Sequence, residues 1–416
     1  ATTLADHCYN NMFQNCAGLT TAPELPVMTL AEGCYQQMFV GTSLTTAPKL
    51  PATTLAEGCY RSMFYNCAGL TTAPELPVMT LAKECYYQMF YNCALTTAPE
   101  LPATTLAERC YQNMFWKCDG LTTAPELPAT TLADRCYDYM FYKCAGLTTA
   151  PELPATTLAD YCYSSMFSYC AGLTTAPELP AITLAPHCYY QMFYHCAGLT
   201  TAPELPATTL AEGCYQQMFQ STSLTTAPKL PATTLAERCY QNMFWNCDGL
   251  TAAPELPAIT LAPHCYQGTF RDCDGLTTAP ELPATTLAPY CYADMFYGSA
   301  GLTTAPELPA TVLADYCYNQ MFRGCTGLTV APELPATTLA AGCYRHMFWD
   351  CKKLDHITML ATDISAPNCF DEWVVGVAST GTFTKAASLE QGTESGQIPT
   401  GIYGIPEGWT VKNYGE

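Results

Sequence analysis

Positive charge is scarce in this chain. Sixteen Lys and Arg stand against 36 Asp and Glu, a formal net charge of −20. A balance of that sign repels phosphate backbones and argues against a nucleic-acid partner. Charge of either sign is thin, at 12% of residues, so this is not a disordered acidic tail. Apolar runs long enough to cross a bilayer are missing. A signal peptide is missing too, and the start at Ala1 without a Met reads as a processed or trimmed terminus. There is no CxxC pair and no Cys/His spacing of a metal site. There is no glycine-rich phosphate loop, and no acid–base pair or nucleophile is singled out. The six histidines are scattered, with His7, His187 and His264 at one exposed position and His195 at another. The expectation is a protein without catalytic residues, cofactor or metal.

What the chain has is repetition. The stretch 147–172, LTTAPELPATTLADYCYSSMFSYCAG, returns with small edits almost throughout. Its CYxxMFxxC core is found first at Cys8 to Cys16 and last at Cys343 to Cys351. The leading cysteines step by 26 residues, or by 25 where one residue is missing just after the core. A fixed short period is the signature of a solenoid, in which no unit buries its apolar side alone. About fourteen units fill residues 1–354. Residues 355–416 read as a degenerate capping repeat, led by Cys369, and a β-rich C-terminal cap. In that cap Gly381–Lys385 and Trp409–Lys412 are strand-like, and Trp373 and Trp409 are expected to be partly buried.

Each unit has two halves. Leu147 to Pro154 is extended, but Pro151 and Pro154 cannot donate to a ladder, so any strand is very short. The second half carries the marks of a helix. Thr29-Leu-Ala-Glu32 and Thr54-Leu-Ala-Glu57 are capping boxes. Pro186, Pro263 and Pro289 fall where a first turn tolerates them. Gly146, Gly172 and Gly198 sit just past the second cysteine, where a helix ends. On a helical wheel Leu158, Ala159, Cys162, Tyr163, Met166, Phe167 and Cys170 share one side. The varying positions 161, 164, 165, 168 and 169 share the other, the exposed side. The fold expected is an α/β solenoid: a curved, right-handed, leucine-rich-repeat-like array with one short extended segment and one helix per repeat. Curvature follows because strands pack ~4.8 Å apart and helices 8–10 Å apart.

The cysteines number 26, fifteen in the leading row and eleven in the second. Cys8 and Cys16 are eight residues apart on the expected helix, too far to bridge. Thr42, Thr222 and Ser299 replace second-row cysteines while their leading partners remain. Both rows lie on the packed side. Buried free thiols are expected, with inter-repeat disulfides as the open alternative. A column of glutamates, including Glu24, Glu75, Glu100, Glu126 and Glu152, is broken by Lys49 and Lys229. It reads as a solvated negative edge, or as carboxylates that could hold Ca²⁺.

The LTTAPELPATTLA…CYxxMFxxC text resembles the BspA-like leucine-rich repeats of gut bacterial surface proteins. The commoner family form has an Ala-Phe pair where Met166-Phe167 stands here, and a more β-branched strand in place of Pro-Glu-Leu-Pro. The tail FDEWVVGVASTGTFTKAAS…GIPEGWTV resembles the ends of such proteins. The resemblance covers roughly residues 1–370. It implies a leucine-rich-repeat fold, export to the cell surface or secretion, and adhesion or ligand binding without catalysis. Related repeats occur in phage and protist proteins.

The reading that results is a non-enzymatic binding or adhesion solenoid of a bacterial cell surface, whose ligand is a host or bacterial surface glycan or protein. A structural spacer or stalk, or a phage-borne receptor-binding repeat protein, is the alternative. The candidate site is the position after the Met-Phe pair: Tyr65, Tyr91, Trp116, Tyr142, Tyr194, Trp245, Arg271, Tyr297, Arg323 and Trp349. Tyr, Trp and Arg at a varying position are the residues of paratopes.

Overall fold

The computed structural model describes residues 4–390 and 397–415. They form two compact units, Ala1–Pro206 with Ser221–Ser223, and Ala207–Gln220 with Leu224–Glu416. Each unit is a stack of the repeats.

The extended half follows its sequence. Pro151, Leu153 and Ala155 are buried, and Glu152, Pro154 and Thr156 are exposed, the alternation of period two that an extended chain dictates. Proline removes the donors a ladder needs, so pairing shrinks to single parallel bridges such as Thr123 with Thr149 and Thr157 with Thr183.

The second half is not a helix. Among the described residues there is no α-helix, and the one helical element is a three-residue 3₁₀ turn, Gly401–Tyr403. Backbone N–H groups in the repeat 147–172 alternate between two kinds of partner. Cys162, Ser164, Met166, Ser168 and Cys170 donate to the carbonyl three residues back, at 3.0 to 3.2 Å. Tyr161, Tyr163, Ser165, Phe167 and Tyr169 donate to carbonyls of the next repeat, from Pro186 to Tyr194, at 2.7 to 3.1 Å. The run is thus a chain of tight turns hydrogen-bonded to its neighbour. Tyr161, Ser165 and Tyr169 have φ of 55°, 51° and 62°, the left-handed value that a type II turn needs at its third residue.

Spacing explains the replacement of the helix. The extended halves bring repeats to about one strand separation, whereas packed helices stand roughly twice as far apart. A turn ladder lets both halves share the short spacing. Phe141, Phe167 and Phe193 stack at 5.7 Å between successive centroids, and Tyr137, Tyr163 and Tyr189 at 5.7 and 5.8 Å. The mismatch from which an arc was expected is therefore absent within each unit. The close neighbour also covers positions that the wheel left exposed: Ser164, Ser165 and Ser168 are buried. His187 and His264 are half-buried, not exposed.

The cysteines are free, and all but Cys8 and Cys16 are buried. Burial pushes the thiols of Cys110 and Cys162 up to about 12, which leaves almost no thiolate to react. The second row has a further role. Cys170 Sγ donates to the Phe141 carbonyl of the preceding repeat at 3.0 Å, and Cys144 and Cys196 do the same to Phe115 and Phe167. Ser299 Oγ makes the same bond to Phe270 at 2.7 Å. Thr42 Oγ1 donates within its own repeat instead, to the Phe39 carbonyl at 2.9 Å. The position wants a small side chain with a donor, which is why hydroxyl residues replace cysteine there.

The repeat pattern runs further toward the C-terminus than its text. The Tyr344 N–H donates to Cys369, Phe348 to Trp373 and Asp350 to Val375, so Phe370, Trp373 and Val374 stand in for Tyr, Met and Phe. The extended column continues as three parallel strands, β1 (His356–Met359), β2 (Gly381–Lys385) and β3 (Trp409–Asn413), in the order β1-β2-β3. Val330 bridges to His356, which pairs with Thr382, which pairs with Thr410. Trp373 and Trp409 are buried.

Gly58 distinguishes the two backbones. Its φ is 66°, and an added Cβ would meet nothing nearer than the Gly33 Cα at 3.8 Å. In a helix interior Gly58→Ala would stabilise by about 1 kcal/mol. Here the left-handed conformation makes the same change destabilising by about 1–2 kcal/mol. Thermal or denaturant unfolding of the variant reads the sign.

Candidate functional site

The candidate stripe lies on the turn half, where every in-register column repeats at the spacing of the ladder. All ten of its residues are half-buried. In the first unit Tyr65, Tyr91, Trp116 and Tyr142 form a stack, with centroid distances of 4.4, 5.5 and 3.9 Å. Ser168 interrupts it. Tyr169, from the next column, fills the break edge-on, at 5.4 Å from both Tyr142 and Tyr194. In the second unit the stack alternates rings and guanidinium groups. Arg271 lies 4.8 Å from Trp245 and 4.2 Å from Tyr297, and Arg323 lies 5.4 Å from Tyr297 and 4.5 Å from Trp349. The structure therefore brings the ten into two ladders, with Tyr194 joined to the first through Tyr169. Stacked rings use their faces on each other and turn their edges outward. Burial pushes the Tyr142 phenol up to about 12.

Neighbouring columns add aromatic residues that the sequence reading left out. Arg135 lies 4.1 Å over Tyr161, which stacks on His187 at 4.6 Å. His264, Tyr290 and Tyr316 form the same ladder in the second unit, at 4.8 and 4.9 Å. Tyr139 meets Trp116 at 5.3 Å and Tyr142 at 5.4 Å. Tyr169 stacks on His195 at 4.8 Å, and desolvation lowers the His195 pKa. The signal was present: aromatic residues recur at 161, 187, 264, 290 and 316, one position ahead of the leading cysteine. A helical wheel hid their mutual stacking.

Polar ladders run beside the rings. Gln216 Nε2 donates to Gln241 Oε1 at 2.7 Å, and Gln241 Nε2 to Gln267 Oε1 at 2.7 Å. In the first unit Gln112 Nε2 donates to Asp138 Oδ2 at 2.8 Å, and Arg135 Nη1 lies 3.4 Å away. Asp138 is fully buried and its Oδ1 has no partner. Desolvation raises its carboxyl from 3.8 to about 7, against the pull of Ser164, Arg135 and Gln112.

The extended half offers shallow depressions instead. One of about 440 Å³ lies between Thr149–Pro154 of one repeat and Thr175–Pro180 of the next, and contains Glu152 and Glu178 of the acidic column. Among the described residues no three His, Cys, Asp or Glu side chains converge as a metal site. No helix there is long and apolar enough to cross a membrane.

Parallel in-register columns of stacked side chains, built from a repeat of 25 or 26 residues, define a leucine-rich-repeat-like protein. Comparison with known proteins places it further. The model of the BspA type leucine rich repeat region matches six copies, over residues 34–174 and 108–251, just over half of the chain. The chain belongs to that family. It is also similar in fold to the crystal structure of a leucine-rich repeat protein from Bacteroides ovatus ATCC 8483. The TM-score is 0.54 at 16% identity, over 97% of this chain and 86% of that one. No curated protein matches.

Asp138 makes stability depend on pH. Below pH 3.8 folded and unfolded chains both hold its proton; between 3.8 and about 7 only the folded chain does. Its contribution to stability therefore falls as pH rises through that window and stays low above it. Asp138→Asn removes the dependence. Melting at pH 5 and pH 8 should show the variant gaining on the parent at the higher pH, by on the order of a few kcal/mol.

Proposed function

We propose that this chain is a non-enzymatic binding module of a bacterial surface, which presents the aromatic and Arg columns of its turn half to a glycan or protein ligand. The observation that supports this most directly is the stripe itself. Tyr, Trp and Arg occupy a surface position where the core needs no ring, and the ladder holds them rigid. Rigid aromatic residues offer contact area at low entropic cost, and interface hot spots are enriched in Tyr, Trp and Arg. Membership of the BspA type family agrees with a binding repeat. Surface display and adhesion belong to this reading.

A second reading has its own observation. The ring faces of the stripe are spent on one another, as they would be in a spacer whose columns only stiffen the stack. The two readings separate on substitution. Replacing Trp116, Tyr142 and Trp245 by Ser should abolish binding to a glycan or surface-protein array, with only a small fall in melting temperature. Large destabilisation with binding retained per folded molecule would favour the spacer.

A further inference from the structure

Within the first unit the basic side chains of the turn half are mostly matched. Arg61 pairs with Glu84, Lys83 with Glu108, Arg109 with Glu84 and Glu108, and Arg135 with Asp138. Lys117 and Lys143 are the exceptions: both are exposed, and among the described residues neither has an ion-pair partner. In a chain of net charge −20, two unmatched cations side by side call for a reason.

Their place is specific. Each directly follows a ring of the stripe, Trp116 and Tyr142. They occupy consecutive repeats, joined by the Lys117 N–H donating to the Tyr142 carbonyl at 2.8 Å. Lys143 Nζ lies 5.4 Å from the Tyr142 ring and 5.2 Å from the Tyr169 ring, which holds the ammonium beside the break in the stripe. Their column reads Asn66, Asn92, Lys117, Lys143, Tyr169, His195 and holds no acid. The nearest exposed carboxylate in sequence to Lys117 is Asp119, and to Lys143 Asp134 and Glu152. Asp134 and Asp160 stand at the start of their turn runs, next to Arg135 and Tyr161. The second unit is built differently. There the same column carries Asp272, whose Oδ2 accepts from Trp245 Nε1 at 2.9 Å and lies 3.4 Å from Arg271 Nε, so charge is matched internally.

We propose that Lys117 and Lys143, with Trp116, Tyr142 and Tyr194, read a carboxylated sugar on an otherwise neutral oligosaccharide. This rests on the binding reading above and names its ligand class. Lysines at one column position of adjoining repeats offer a single anionic group two ammonium donors for charge-assisted hydrogen bonds. The neighbouring phenols and indole edge suit the hydroxyls and carbon faces of a pyranose. A long polyanion is disfavoured, because the chain as a whole carries a net charge of −20 and repels it. An acidic peptide would bring charges that these two lysines alone do not match.

Titration calorimetry of the intact chain with sialyllactose, a glucuronate-terminated disaccharide and lactose tests this. An acidic peptide serves as a competitor. The carboxylated sugars should bind about tenfold or more tightly than lactose, the loss expected when one charge-assisted contact is missing. Lys117→Asn with Lys143→Asn should erase that preference at unchanged melting temperature. Asn is the residue this column already carries at 66 and 92, and it tolerates their left-handed backbone. Equal binding of charged and neutral sugars, a preference that survives the substitution, or a tighter acidic peptide would overturn the inference. Neutral sugars bound through Trp116 and Tyr142 would leave the binding reading standing. A folded chain that binds no saccharide or protein would remove both.

Discussion

The structure depends on one distance, the separation of successive repeats. The extended halves set it through parallel bridges at about one strand spacing. Every other feature has to fit it. An α-helix cannot, since helices packed side by side need 8–10 Å. A chain of turns can, because half of its N–H groups reach across to the neighbour. The same spacing brings rings of one column to stacking distance. Within each unit the inner Tyr and Phe columns thereby become stacks, and the outer columns of varying residues become shorter, interrupted ones.

Much of this was legible in the sequence. The repeat, its length, the two halves, the buried cysteine rows and the segments Gly381–Lys385 and Trp409–Lys412 follow from spacing and residue type. The helix did not hold, for a physical reason. Cys162, Tyr163, Met166, Phe167 and Cys170 repeat every four residues. Over nine residues a period of four cannot be told from 3.6. The distinguishing signal lay in the varying columns. Gly33, Gly58, Gly213 and Gly342 recur ahead of the leading cysteine, and Gly41, Asn66, Asn92, Asn246, Gly298 and Gly324 recur eight residues later. Gly and Asn are poor in a helix interior and favoured where φ is positive. The structure gives all ten positive φ. Thr42 and Ser299 carried a second signal, that the cysteine site requires a donor.

The candidate stripe was legible as a column but not as a ladder. Its ten residues stand at the varying position richest in aromatics. That richness says nothing about what lies beside each ring. Only the common spacing shows that Tyr91 lies between Tyr65 and Trp116, and that Arg271 lies between Trp245 and Tyr297. This changes the chemistry on offer, from open faces to edges, hydroxyl groups and cations. It also makes the unmatched pair Lys117 and Lys143 stand out against the matched charges around them.

The absence of a helix in every repeat is the central claim, and far-ultraviolet circular dichroism of the intact chain tests it most directly. Turns and short parallel bridges should give a weak spectrum without the paired minima of an α-helix. A strong helical spectrum that melts together with the fold would contradict the account.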